Sequence, residues 1–310
     1  MQRTRQEVLD ALADGPVPGP ALAERLDLSR AAVWKHVEAL REAGFDIEGG
    51  DAGYELVSVP EFGGPAVAFG LEAPFDVEYH DAVVSTNDRA RELAAAGRED
   101  VVVLANEQTG GKGRLDRQWA SPPGGVWLSI LLRPAVPPAR APVFTLAAAV
   151  ATARAAREAG VEAVIKWPND VLVDGRKLAG ILTEVEGEAD RVSWLVVGVG
   201  VNANVDPDAL PAGIEATSLR AEVGDVDRRA FTQRLIEEFD DLRHDPDAVV
   251  PAWHDLAATL GRRVRVETPD CDVVGEAVDV EFPGTLVVET DRGRVEVTAG
   301  DCEHLRPSGD

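Results

Sequence analysis

The sequence has little lysine, little sulfur and no long apolar run, and each shortage narrows what the chain can be. No stretch of about 18 apolar residues is present, and the amino terminus lacks a basic segment followed by an apolar one. Neither a membrane span nor a secretory signal is therefore expected, and the chain reads as soluble and cytoplasmic. Cys271 and Cys302 lie far apart and outside any C-x-x-C spacing, which excludes a zinc site or a disulfide framework of the usual kinds. His36, His80, His244, His254 and His304 form no H-x-H or H-x-x-x-H pair, so no histidine-built metal site is expected. Of the 31 basic residues only Lys35, Lys112, Lys166 and Lys177 are lysine, and the other 27 are arginine. Set against 55 acidic residues they leave a net charge of −24, spread along the chain. Such a charge ordinarily opposes nucleic acid, but a high-salt cytoplasm supplies another cause: dense carboxylate keeps the surface soluble while salt screens its self-repulsion. In this halophilic composition a retained lysine marks a place where a compact ammonium does what a planar guanidinium cannot.

What is present organises into an α+β multidomain chain. Residues 1–60 read as helix, helix, turn, helix and hairpin. Val8, Leu9 and Leu12 line a first helix from Thr4 to Ala13, Leu22 and Leu26 a second from Ala21 to Leu26, and Ser29 caps a third from Arg30 to Ala43. The third helix buries Val33, Val37 and Leu40 and presents Arg30, Lys35, His36 and Arg41, a face suited to phosphates and base edges in a major groove. Residues 45–48 and 54–57 flank a glycine-rich turn and read as a wing. Six basic against eleven acidic residues over 1–60 favour a protein-interaction bundle instead, so that alternative stays open. Residues 61–74, rich in Pro and Gly and without periodicity, read as a linker. In the 75–258 region strands are expected at 101–105, 126–132, 163–165, 181–185 and 194–199, and helices at 88–96, 141–159 and 231–242. Residues 259–310 alternate in short runs separated by Gly, Pro and Asp, as in a small β-barrel.

Two glycine-rich stretches fail the common nucleotide fingerprints. At 109–113, Asn106 stands where a Walker A loop needs its leading glycine, and Gly113 follows the lysine. Gly198-Val199-Gly200-Val201-Asn202-Ala203 follows a strand, but Asn204-Val205-Asp206-Pro207 does not continue as the helix that a dinucleotide fold requires. The informative run is 107–134, which sets Lys112, Arg114 and Arg117 among glycines just before Trp119. Glycines let backbone N–H groups approach phosphates, the cations neutralise charge developing at phosphorus, and an indole offers a face to a purine. A second cluster, Lys166-Trp167-Pro168-Asn169-Asp170, leaves one strand, and Arg176-Lys177-Leu178-Ala179-Gly180 begins another, so two of the four lysines converge near strand ends.

Together with Ser85-Thr86-Asn87 these motifs resemble the bifunctional biotin–protein ligase and biotin operon repressor family over nearly the whole chain, in order. Residues 29–57 likewise resemble that family's winged helix-turn-helix. The resemblance implies a winged helix-turn-helix at 1–60, a ligase domain at 75–258 with the class II aminoacyl-tRNA synthetase fold, and an SH3-like carboxyl-terminal domain. Lipoate ligases share the central fold, but their glycine-rich motif ending in His-Asp is absent. The implied reaction joins biotin to ATP, with Mg2+, and passes biotin to a lysine of a carboxylase acceptor domain. By position Ser85, Thr86, Asn87, Gln108, Gly111, Lys112, Gly198 and Gly200 would surround biotin, and Arg114 and Lys177 would hold its carboxylate and the phosphate joined to it. Lys112, Arg114, Arg117, Trp119, Lys166, Asn169 and Asn202 would contact the nucleotide, Trp119 by stacking on adenine, and Asp170 would meet the incoming amine. Arg114, Lys166, Asp170 and Lys177 are the expected catalytic set. Ser29, Arg30, Lys35 and His36 would contact operator DNA. The adenylate would order residues 110–119 and complete a homodimer. The family's Arg-Gly-Arg-Arg-Gly-Arg run appears here as Lys112-Gly113-Arg114-Leu115-Asp116-Arg117, with one arginine fewer and an added carboxylate, which should weaken anion retention. A ligase whose helix-turn-helix does not regulate, and a biotin-sensing transcription factor without ligase activity, are the alternatives.

Overall fold

The computed structural model describes residues 3–210, 215–269 and 271–305, apart from the side chains of Arg3 and Asp116. The expected weakening by the Asp116 carboxylate, and the end of the 259–310 region, therefore lie outside the described set. Three helices, α1 (Arg3–Leu12), α2 (Gly19–Arg25) and α3 (Arg30–Glu42), precede an antiparallel hairpin of β1 (Asp46–Gly50) and β2 (Gly53–Ser58). Ser29 caps α3 by accepting from the Ala32 amide at 3.1 Å, a contact of about 1 kcal/mol. Val8, Leu9, Leu22, Val33, Val37 and Leu40 meet Phe45 and Ile47 in one core, so the helical and strand periodicities of the sequence point inward together.

The segment expected to be a linker is built into the fold. It carries α4 (Gly64–Ala68), with Ala66 and Val67 buried. Arg229 donates to the carbonyls of Ala66 at 2.8 Å and Phe69 at 2.7 Å, and Gln233 donates to those of Val67 and Phe69. Phe69 packs edge-on to Phe45, 6.3 Å between ring centroids. A helix of five residues is too short to show a period, which is why the sequence concealed it.

The centre is a seven-stranded sheet in the order β3-β4-β5-β9-β8-β7-β6. Its strands are β3 (Asp76–Val83), β4 (Val101–Gln108), β5 (Val126–Leu132), β6 (Val164–Lys166), β7 (Asp170–Val173), β8 (Arg176–Gly187) and β9 (Val192–Val201), with β3 and β4 parallel and the other pairs antiparallel. Helix α5 (Thr86–Ala95) covers part of one face; α6 (Pro142–Glu158), α8 (Arg228–His244) and α9 (Pro246–His254) cover the other, with α7 (Leu219–Val223) between β9 and α8. Alternation sorts the side chains: Val102, Leu104, Leu128 and Val199 enter the large core under α6, while Val101, Val103, Leu131 and Val196 pack under α5. The same alternation puts Ser129, Gly198 and Gly200 on the α5 face, where the cavity described below opens.

Five antiparallel strands close the chain: β10 (Arg263–Glu267), β11 (Asp272–Glu281), β12 (Thr285–Thr290), β13 (Gly293–Val297) and β14 (Asp301–His304), in the order β13-β12-β11-β10-β14. Trp167, fully buried, ties this sheet to the central one by donating its indole N–H to the Gly284 carbonyl at 3.0 Å. None of the described helices is long and apolar enough to cross a membrane.

Candidate active site

A cavity of about 990 Å3 lies where residues 112–119, the ends of β6, β7 and β8, and β14 meet. One end is uncharged. The Thr86 amide and hydroxyl both reach Gln108 Oε1, at 2.8 and 3.0 Å, and Gln108 Nε2 donates to the Ser121 hydroxyl at 2.9 Å. The Ser129 hydroxyl lies within 2.7 Å of Thr86 Oγ1 and 2.5 Å of Asn87 Oδ1. Asn87 donates in turn to Glu184 at 2.7 Å. This network fixes donor and acceptor directions before any ligand arrives.

The other end is cationic, and carboxylates pair with three of its cations. Lys177 Nζ lies 2.6 Å from Asp170 Oδ1, Arg117 donates to Asp301 at 2.6 Å, and Lys112 Nζ stands 3.4 Å from Asp88. Arg114 differs: its acceptors are neutral, the Asn169 side-chain oxygen at 3.1 Å and the Gly300 carbonyl at 2.7 Å. Burial lowers the pKa of the Arg114 guanidinium from its ordinary value, yet a guanidinium stays charged at neutral pH. A desolvated cation with neutral partners is a place for an incoming anion.

Residues 110–119 fold back on themselves. The Trp119 amide donates to Gly111 O at 2.9 Å, Gly113 to Arg117 O at 2.7 Å, and Lys112 faces Gln118 across the turn. Leu115 stands at the tip, 72% exposed and in the left-handed region at φ 55°. Trp119 lies over the glycines: a Cβ on Gly200 would fall 2.6 Å from its Nε1 and one on Gly180 3.3 Å from its ring. Lys177 Nζ sits 5.0 Å from the ring centroid, and the buried indole N–H has no hydrogen-bond partner among the described residues. Trp119 thus fills the space over Gly200, where biotin was expected. A Cβ on Gly198 would be 2.3 Å from Asn87 Oδ1, so that glycine makes room for Asn87.

The cavity gathers Thr86, Gln108, Lys112, Arg114, Arg117, Trp119, Lys166, Asn169, Asp170, Lys177, Gly198 and Gly200. Four expected residues do not line it. Ser85 caps α5, accepting from Asp88 N at 3.3 Å; Asn87 is held within the polar network; Gly111 packs against Trp119 O and Ser121. Asn202 is buried and donates to the Thr217 carbonyl at 3.0 Å. Residues of the last sheet line the cavity without having been expected there, among them Asp301 and His304. The contact of Asp301 with Arg117 spans 184 positions, and no local pattern announces it. Ser129 did leave a signal, one hydroxyl in the apolar run 126–132.

His304 accepts from or donates to Thr259 Oγ1 at 3.0 Å, and Thr259 receives the Trp167 amide at 2.9 Å. Burial, with Lys166 and Arg262 adding repulsion, pushes His304 down to about 4. An unfolded histidine titrates near ~6.5. Between those values the unfolded chain binds a proton that the folded one refuses, so stability falls as pH drops through this window. Thermal melting from pH 7 to 4 should show that fall, and His304→Gln should flatten it. Superimposable profiles for the two proteins would clear His304 of the effect.

On the amino-terminal module Ser29, Arg30, Lys35 and His36 share one helix start, with Arg30 and Lys35 exposed. Arg41 turns away from that face: its guanidinium donates to Ile47 O at 2.8 Å and pairs with Glu38 at 2.6 Å, bracing the wing.

Comparison with known proteins follows this three-part division. Residues 82–202 match the Biotin/lipoate A/B protein ligase family, residues 4–55 an HTH domain, and residues 259–305 the Biotin protein ligase C terminal domain. The Bifunctional ligase/repressor BirA of Bacillus subtilis is 36% identical over 303 residues, covering 93% of both chains. The Biotin--[acetyl-CoA-carboxylase] ligase of Mycobacterium tuberculosis is 36% identical over 229 residues, 70% of this chain and 84% of that protein. Among solved structures, the biotin protein ligase from Aquifex aeolicus in complex with biotin and ATP superposes with a TM-score of 0.64 at 24% identity, over 74% of this chain and 99% of that one, a likeness of fold.

Proposed function

As the chain belongs to the biotin protein ligase family, we propose that it activates biotin with ATP, transfers it to a lysine of a carboxylase acceptor domain, and acts on operator DNA as a biotin-responsive repressor. We read its central sheet as the class II aminoacyl-tRNA synthetase-like domain and its last five strands as SH3-like. The observation that carries the ligase reading is a single cavity with a hydrogen-bonding uncharged end and a cationic end. A ureido ring suits the first, beside Thr86 and Gln108, and a carboxylate meeting a phosphate suits the second, between Arg114 and Lys177.

In the first step the biotin carboxylate attacks the α-phosphorus of ATP, a P–O bond forms, and pyrophosphate leaves with Mg2+, which enters as the counter-ion of the nucleotide. Arg114, Lys166 and Lys177 offset repulsion between carboxylate and polyphosphate, and the polar network holds biotin in line. Once the phosphate draws Lys177 away, the Asp170 carboxylate is released. In the second step it accepts a proton from the acceptor lysine, whose neutral amine attacks the anhydride carbonyl and expels AMP. Biotin-dependent exchange of pyrophosphate into ATP tests the proposal, and its absence would favour a sensor without ligase activity.

Trp119 must leave Gly200 to stack on adenine. Trp119→Ala should therefore weaken ATP about tenfold, the upper range for one stacked pair, while biotin binds as well or better. Calorimetry with each ligand decides, since equal losses would make Trp119 a packing residue only.

A further inference from the structure

The most exposed aromatic ring among the described residues is not at the cavity. Trp34, on α3, is 55% exposed, although an indole on a small domain is ordinarily buried. It lies one turn after Arg30, beside Ala31 on the same exposed face, and the exposed Lys35 follows it. From Ser29 to Val37 the chain carries no carboxylate, and Glu38 is neutralised by Arg41 at 2.6 Å. The first half of α3 is thus a cationic face around an apolar ring in a module that is acidic as a whole. The wing has the opposite character, with Glu48, Asp51 and Glu55 all exposed. Phosphate attraction is confined to one helix face, so affinity for a duplex must come largely from base contacts.

Resting on the DNA-binding reading above, we infer that Trp34 is a specificity-determining residue that packs its indole against thymine methyl groups in the major groove. The amino-terminal half of a recognition helix is the part that reaches base edges. The thymine methyl is the apolar mark that the major groove offers, and apolar side chains read it. Arg30 and Lys35 stand on either side to take the phosphates or guanines that bound such a step. Because the contact is apolar, it survives molar salt that would screen the cations.

The test uses the full chain with biotin and ATP, and fluorescent duplexes tiling its own promoter against a scrambled duplex. Trp34→Ala should weaken the promoter duplex at least tenfold and leave the scrambled one within twofold. Replacing thymine by uracil within the protected half-site should weaken the unaltered protein several-fold and the Trp34→Ala variant no further. Trp34→Phe, which keeps an apolar ring, should retain most of the discrimination, and thermal melting checks that both variants fold. If Trp34→Ala keeps promoter affinity while Lys35→Ala loses it, helix α3 reads DNA without Trp34 and the inference falls alone. Equal losses on both duplexes would make Trp34 a nonspecific contact and overturn it too. If the unaltered protein prefers no promoter duplex, the DNA-binding reading and the inference fail together, and Trp34 belongs to a protein-docking face.

Discussion

Lys177→Ala is expected to lower biotin-dependent pyrophosphate exchange by more than a hundredfold while the protein still folds. Removing one preorganised charge contact from a transition state costs on the order of a hundredfold or more. Here the loss is compounded. Lys177 Nζ is 2.6 Å from Asp170, so this wall presents a neutral pair. Without Lys177 the wall carries a bare carboxylate facing two anionic substrates, and repulsion replaces attraction. The double variant Lys177→Ala with Asp170→Asn should accordingly recover part of the exchange rate lost in Lys177→Ala, although it removes a second expected catalytic residue. Lys177→Arg should remain poor, because a longer, forked guanidinium does not place its charge where the compact ammonium stands 2.6 Å from Asp170. Exchange rates at saturating ATP and biotin for the four proteins settle it. A near-normal rate for Lys177→Ala would remove Lys177 from the site, and no recovery in the double variant would show that the Asp170 charge is not what the lysine masks.

Lys166, Asp170 and Lys177 were legible because lysine is so rare that its retention calls for a reason, and strand ends bring neighbours in sequence together in space. The run 126–132 was legible as β5 because seven apolar or small residues between Gly125 and the pair Arg133-Pro134 have few other uses. The pairing of cations with carboxylates was not legible. It depends on Asp301 reaching Arg117 and on Gly300 reaching Arg114, contacts made across about 185 positions at the start of a four-residue strand, β14, too short and polar to stand out. Nor did Gly198 and Gly200 say what fills their space. A missing Cβ states that something approaches closely, and only the packed structure says that it is Asn87 in one case and Trp119 in the other.

Operator binding is expected to rise about a hundredfold when biotin and ATP are both present, and to fall again when an acceptor domain consumes the adenylate. Three cations of the site rest on its own carboxylates, Lys177 on Asp170, Arg117 on Asp301 and Lys112 on Asp88. An adenylate phosphate competes for these cations, so the strap of residues 110–119 must exchange one set of bonds for another. The proposed consequence is a homodimer through surfaces beside that strap, where Leu115 and Val84 stand 72% and 61% exposed. Pairing two α3 helices then converts the second half-site contact into an intramolecular one, and the gain in effective concentration spans roughly 100- to 10,000-fold. An acidic module needs that gain more than a basic one does, because a single copy draws little from nonspecific phosphate attraction. The salt dependence of binding should be correspondingly shallow, and Arg30, Lys35 and His36 should each be required. Anisotropy titrations against the chain's own promoter, at several salt concentrations up to the molar range and with and without adenylate, measure all three. Identical affinity in the two states would mean that the helix-turn-helix does not report biotin, leaving a ligase whose amino-terminal module serves another end.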